Sequence, residues 1–342
     1  MNTFHLFAYA IAAGAVVSAQ PLPPNLREVL SSDFHFSAND LRKAESGKPV
    51  AKMVSTGRPD DVRMVGVIRI KTSPDEFMKA FRDVERFQAA KEVIRTGLFS
   101  IPPVEADLNK FRFPDLNKAD LFACQPGHCA YKIPAVAMEE LKTKIDWNAP
   151  DAMERAEALI HQLWLVRLDH YQREGDAALA IYHDSTAPFS VADGLHSLMK
   201  AENWLGRRFP DLMRYAAEYP VKRPPLTENL FYWQEAAFGL KHVVRTQHVI
   251  IQEVPAEGGS HYAIISKLLF ATHYFRAAFE FNYVYPVHTE SGEPALYFVA
   301  AQRSYVDGLT GVKGAILRKI AGSRSPARLA ANLRLAKVRL ER

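Results

Sequence analysis

The chain has 342 residues, 48% of them hydrophobic, with 43 Lys and Arg against 38 Asp and Glu for a formal net charge of +5, a composition that allows a full core in one large or two ordinary domains. The charge is uneven: from Lys313 to Arg342 nine basic residues face one acid, Glu341, which leaves −3 on residues 1 to 312. An excess confined to one terminal segment, with no recognition motif beside it, argues against a general nucleic-acid-binding surface.

The N-terminus, MNTFHLFAYAIAAGAVVSAQPLPP, carries an apolar stretch from Phe7 to Val17 and then the small residues Val17-Ser18-Ala19. This reads as a signal peptide over residues 1–19, and with it a periplasmic or secreted protein. No Lys or Arg precedes the apolar stretch, which keeps an uncleaved anchor or a mis-called start as alternatives. Pro21, Pro23 and Pro24 weigh against a buried helix running on from it. Residues 20–60 read as a polar, helical entry segment in which Ser37 or Asn39 caps a short helix.

The stretch VRMVGVIRIKTSPDEFMKAFRDVERF then changes period. Residues 65 to 70 alternate as a strand does; Ser73-Pro74 supply an N-cap and first turn for a helix with Phe77, Phe81, Val84 and Phe87 on one face. EVIRTGLFSIPP is a strand ended by Pro102 and Pro103. DLFAC and CAYKIP read as a hairpin closed by a disulfide between Cys124 and Cys129, the simplest fate of two cysteines in an exported chain. So small a ring stabilises by about 2 kcal/mol. His128 between the two thiols raises a metal reading, but no second Cys or His pair stands at zinc-like spacing, so no metal and no cofactor are expected.

From Ala135 to about Tyr219 the periodicity is helical, with AVAMEELKTKI, the long PDAMERAEALIHQLWLVRLDHYQREG, and VADGLHSLMKAENWLGRRFPDLMRYAAEY broken at Pro210. Pro220, Pro224 and Pro225 end this block. Beyond Glu228 come runs rich in aromatic and β-branched residues, punctuated by Gly239, Gly258-Gly259 and Ser291-Gly292: an antiparallel meander, with a break near Thr272 and His273. Asp307 and Thr310 offer caps for a last helix whose apolar stripe runs through Leu317, Ile320, Leu329, Leu333, Ala336 and Leu340. Its basic face is a solvated surface or a peripheral contact with anionic membrane. No segment after the leader has the 18 or more uncharged apolar residues of a spanning helix.

Three stretches, GKPVAKMV, VGVIRIKTSPDEFMKAFRDVERF and QRSYVDGLTGVKGAILRKIAG continuing to LAANLRLAKVRLE, together resemble the START-like helix-grip superfamily, of polyketide cyclase and lipid-transfer type. The resemblance covers about a fifth of the chain. It implies an α+β fold in which an antiparallel curved sheet grips a long C-terminal helix, here with a helical insertion. The first part of that domain would be 61–134, the insertion 135–225, and the meander with the helix 226–342. It further implies a cavity between sheet and helix for an apolar small molecule or lipid.

Wall aromatics and buried polar residues of the meander are the candidate ligand contacts: Trp233, Arg245, His248, Tyr262, Lys267, His273, Tyr283 and Arg303. His273 stands first among them, and an Arg303–Asp307 ion pair is the structural alternative for Arg303. No catalytic motif is present. Ser197 to Lys200 fits Ser-x-x-Lys without its partners, the Asp-His neighbours at 169–170 and 183–184 point apart, and Glu157 and His161 are a helix-surface pair. The sequence therefore favours an exported, non-catalytic binder or carrier. A cyclase-like or hydrolytic enzyme using the same cavity is the second reading, which requires Arg245, Lys267 and His273 to converge.

Overall fold

The computed structural model describes residues 21–113, 115–238, 241–257, 259–309 and 311–341, and within 311–324 the backbone alone apart from Gly314. The leader, the turn positions Gly239 and Gly258, Thr310 as a cap, and the side chains of Leu317 and Ile320 lie outside the described residues. The first half of the chain contains α1 (Pro24–Ser32), α2 (Ala38–Glu45), β1 (Val50–Val54), β2 (Asp61–Ile70), α3 (Pro74–Arg82), α4 (Val84–Phe87), β3 (Val93–Phe99), α5 (Lys118–Phe122), α6 (Ala135–Lys144) and α7 (Ala152–Glu174). After it come the short β4 (Ile181–Tyr182) and β5 (Phe189–Ser190), then α8 (Val191–Ala201), α9 (Asn203–Arg208), α10 (Pro210–Glu218), β6 (Thr227–Phe238), β7 (Lys241–Val254), β8 (His261–Ala271), β9 (Phe275–His288), β10 (Pro294–Val306) and α11 (Gly311–Leu340).

Eight strands form one antiparallel sheet in the order β1-β2-β10-β9-β8-β7-β6-β3, so the late meander is bracketed by the three early strands. Period-2 alternation gives it two different faces. On the front, Ile68, Ile70, Val249, Ile264, Val284, Leu296 and Phe298 pack with Phe77 and Phe81 of α3 and with Leu329, Leu333 and Ala336 of α11. On the back, Val65, Val67, Phe231, Ile250, Ile265, Phe281 and Val299 pack against α1, α2 and the helices from α7 to α10. The chain is thus α+β, an antiparallel sheet holding a long C-terminal helix on one face and a helical insertion on the other.

Local chemistry explains the joints. Ser37 caps α2 in a reciprocal capping box with Asp40, and Ser73 Oγ accepts the Glu76 N–H at 3.2 Å with Pro74 at the helix start. α7 spans two cores, with Ala152, Ala156 and Leu159 in a small cluster around the cysteines and Trp164, Leu168 and Tyr171 on the sheet. The Cys124–Cys129 disulfide is formed, but the segment before it is helix α5 and the loop holds only an isolated Gln125–His128 bridge. Its ends meet through the covalent bond, so the expected strand ladder has nothing to close. The meander breaks between Ala271 and Phe275, where Tyr274 adopts φ 61°.

The Arg303–Asp307 pair does not form. Arg303 donates to both oxygens of Asp61 at 2.9 and 2.7 Å and to Glu202 at 3.1 Å, while Asp307 pairs with Arg276 and Lys132. Arg303 points to the back face, where Glu202, between α8 and α9, and Asp61, at the start of β2, supply carboxylates. The entry segment is also less polar in space than in composition, since Leu26, Val29, Leu30, Phe34 and Leu41 are all buried.

Candidate ligand cavity

The front face of the sheet changes character along its strands. One end is apolar. At the other, alternation brings Gln302 of β10 beside Glu280 of β9, Glu280 beside Ser266 of β8, and Gln234 of β6 beside Arg245 of β7. Phe81 of α3 and Phe87 of α4, the link into β3, and Leu329, Asn332, Leu333 and Ala336 of α11 stand over this floor and bound a cavity of about 140 Å3. Two contacts tie its rim together: Arg328 lies 3.4 Å from Glu92, and Arg339 donates to the carbonyls of Phe87 and Ala89.

The floor is polar and largely out of water, with Gln234, Gln247, Ser266 and Asn282 all buried. Arg245 donates from Nε and Nη2 to Gln234 Oε1 at 3.1 and 2.5 Å, and Gln234 Nε2 reaches Thr96 Oγ1 at 3.4 Å. Gln247 Oε1 is buried without a hydrogen-bond donor. Glu280 lines the cavity, and burial raises its pKa above 4.5 while the Arg245 guanidinium pulls it partly back. A carboxyl displaced toward its neutral form, a guanidinium and several amides therefore face one shared, half-open space. They can take up a ligand that carries both hydrogen-bonding groups and an apolar body.

Of the eight residues selected from sequence, Arg245 lines this cavity and the other seven do not. Trp233 is core: its indole N–H donates to the Asp107 carbonyl at 2.9 Å beside Gly97, where no Cβ would fit. His248 is clamped between the Tyr171 hydroxyl and Asn229 Oδ1, each at 2.9 Å, and burial drives its pKa well below 6.5. Lys267 is held by the Asp176 carboxylate and the Ala216 carbonyl, and burial lowers its pKa.

His273 packs on Tyr131 behind the sheet, and burial lowers its pKa to about 4. Tyr283 engages His261 Nδ1 at 2.8 Å, and Arg303 belongs to the Asp61–Glu202 network. Tyr262 is on the front face but donates to Asp75 at 3.0 Å, beside an outer groove. Arg245, Lys267 and His273 do not converge. Ser197 is bonded to the Tyr305 hydroxyl at 2.9 Å, and Glu157 lies 3.9 Å from His161.

Sequence reasoning missed Glu280, Gln234, Asn282 and Gln302. In RAAFEFNYV the aromatic residues 279, 281 and 283 alternate with 278, 280 and 282, which resembles a strand with one wet face. Only the return of α11 across that face makes it an interior. Neither a protein-family model nor a curated protein matches the sequence. Among solved structures, the di-domain ARO/CYC StfQ from the steffimycin biosynthetic pathway is similar over 81% of this chain and 98% of its own length, at 11% identity and a TM-score of 0.23.

Proposed function

We propose that the chain is an exported binding or carrier protein of the START-like, helix-grip type, which holds a small molecule between the sheet and α11. The cavity of about 140 Å3 with a polar floor supports this reading most directly. It also shapes the ligand. Phe81, Phe87, Phe298 and Leu333 would cover an apolar body, while Arg245, Glu280, Asn282 and Gln302 would engage a polar end, so the ligand is amphipathic rather than wholly apolar. The basic α11 is a proposed point of contact with anionic membrane from which such a ligand could be drawn.

A second reading is enzymatic and rests on Glu280. A carboxyl held toward neutrality beside a guanidinium can pass a proton to a ligand oxygen whose developing charge the guanidinium stabilises. The test is native mass spectrometry of protein purified from its own host, together with binding of the amphipathic dye anilinonaphthalene sulfonate. The wild type should carry a co-purifying mass and bind the dye; Gln302→Trp, which fills the cavity from its floor, should lose both while keeping its circular dichroism. Equal dye binding by the two proteins, with no bound mass on the wild type, would remove the proposal. Glu280→Gln separates the readings: a carrier keeps the ligand unchanged in mass in both proteins, whereas an enzyme converts it only when Glu280 is present.

A further inference from the structure

Behind the sheet, α6, α7 and residues 178–180 stand over β7 and β8 and leave a second apolar cavity of about 90 Å3. Its walls include Leu141, Leu163, Trp164, Leu168 and Phe270, and Val136 at its mouth is 65% exposed. An adjoining space of about 30 Å3 shares Phe113, Ile133, Ile160 and Phe270 with it. The polar groups deep in this wall are already engaged: Trp164 Nε1–H donates to Thr246 Oγ1 at 2.7 Å, and the Tyr171 hydroxyl is bonded to His248.

Arg167 is the exception. It lies on α7 one turn after Leu163 and lines the cavity. Its Nη1–H donates to the Ala178 carbonyl at 3.2 Å, and among the described residues no carboxylate comes within ion-pair distance of it. Other sheltered cations behind the sheet each hold an acid: Lys267 on Asp176, Lys132 on Asp184, Arg63 on Glu202 and Arg303 on Asp61. A charge withdrawn from water without an opposite partner is unfavourable, and burial lowers the pKa of Arg167 accordingly. A guanidinium has five donors in a fork that matches a carboxylate. Set in the wall of a hydrocarbon cavity, it has the geometry to take an anionic head while the cavity takes an apolar tail.

We propose that this cavity is a second ligand site, separate from the one under α11, for a short-chain monocarboxylate whose carboxylate pairs with Arg167 and whose tail lies against Leu163, Trp164 and Phe270. The space sets the tail length. A cavity of about 150 Å3 takes benzene, so the smaller space here, even with its adjoining part, holds a tail of at most about five carbons, as in hexanoate, and excludes a long fatty acid.

The test is calorimetric titration of the intact protein with straight-chain acids from acetate to decanoate, and with 1-hexanol. Hexanoate should bind at least tenfold tighter than acetate, decanoate or hexanol. Arg167→Gln should weaken hexanoate at least tenfold and Arg167→Lys by less, because the lysine keeps the charge without the fork. Leu163→Trp, which fills the tail space, should abolish binding, and Gln302→Trp, which fills the front cavity, should leave it intact. If Arg167→Gln does not fold, the comparison of hexanoate with hexanol and the Leu163→Trp variant decide alone. The proposal fails if no acid binds, if hexanol matches hexanoate, if folded Arg167→Gln or Leu163→Trp binds hexanoate as the wild type does, or if Gln302→Trp removes binding.

Discussion

Buried charge is handled in two ways in this molecule. Glu202 accepts from Arg63 at 2.7 Å through both oxygens, from Arg303 at 3.1 Å and from the Trp204 indole at 2.8 Å, so its desolvation is offset by hydrogen bonds on every side. Glu280 has no such shell: no ion pair or hydrogen bond reaches its carboxylate among the described residues, and the Arg245 charge acts on it through space. Its folded pKa lies above the unfolded 4.5, so the fold prefers the protonated carboxyl. That preference is fully present below pH 4.5 and is lost as pH rises through the folded value. Glu280→Gln keeps the shape and removes the titration. Its stability relative to wild type should rise with pH above 4.5, leaving the variant the more stable protein at alkaline pH. Urea denaturation across that range reads the difference, and parallel curves would show that Glu280 is not held neutral.

At the scale of elements, the seat of α11 depends on one missing side chain. A Cβ on Gly66 of β2 would stand 2.7 Å from Leu333 Cδ1 and 3.1 Å from Leu329 Cγ, so the two leucines of the helix sit in the space a larger residue would take and would have to shift to admit one. Gly66→Val should cost about 1–3 kcal/mol by overpacking and widen the cavity, seen as a lower urea midpoint with stronger dye binding; an unchanged midpoint would mean that the helix is not seated there. Much of this architecture was legible in the sequence because local signals agree with it: Ser73-Pro74 opening α3, the aromatic runs of β6 to β10, and the stripe Leu329, Leu333 and Ala336. What was not legible depends on contacts between distant segments. DLFAC packs as helix α5 around a disulfide loop, and Arg303 takes its carboxylates from Asp61 and Glu202, 242 and 101 residues away. Glu280 and its neighbours read as a wet strand face because nothing in β9 announces that α11 will cover it.

At the scale of the whole molecule the eight-stranded sheet is covered on both faces, and the two faces respond to acid in opposite senses. Glu280, in front, favours the fold as pH falls. Behind the sheet, His161, His248, His261 and His273 all have folded pKa values below the unfolded 6.5, in each case chiefly because burial disfavours the imidazolium; the value for His273 is about 4. Charges nearby add to this, Lys267 acting against a proton on His248, and Lys241 and Lys132 acting against one on His273 while Asp115 partly offsets them. A depressed imidazole contributes stability that is whole above pH 6.5 and is lost as pH falls through the folded value. Asp40, Asp60 and Asp151, also depressed, titrate below the ordinary 3.8 and leave the interval above it to the histidines and Glu280. In the Glu280→Gln background, where the opposing carboxyl is silent, the urea midpoint should fall steadily from about pH 7 to about pH 4.5. Adding His273→Asn should make that fall shallower without removing it, because His248 remains sealed between Tyr171 and Asn229. A midpoint that stays level or climbs toward acid would mean that the imidazoles accept protons in place, and that the back of the sheet is wetter than its packing implies.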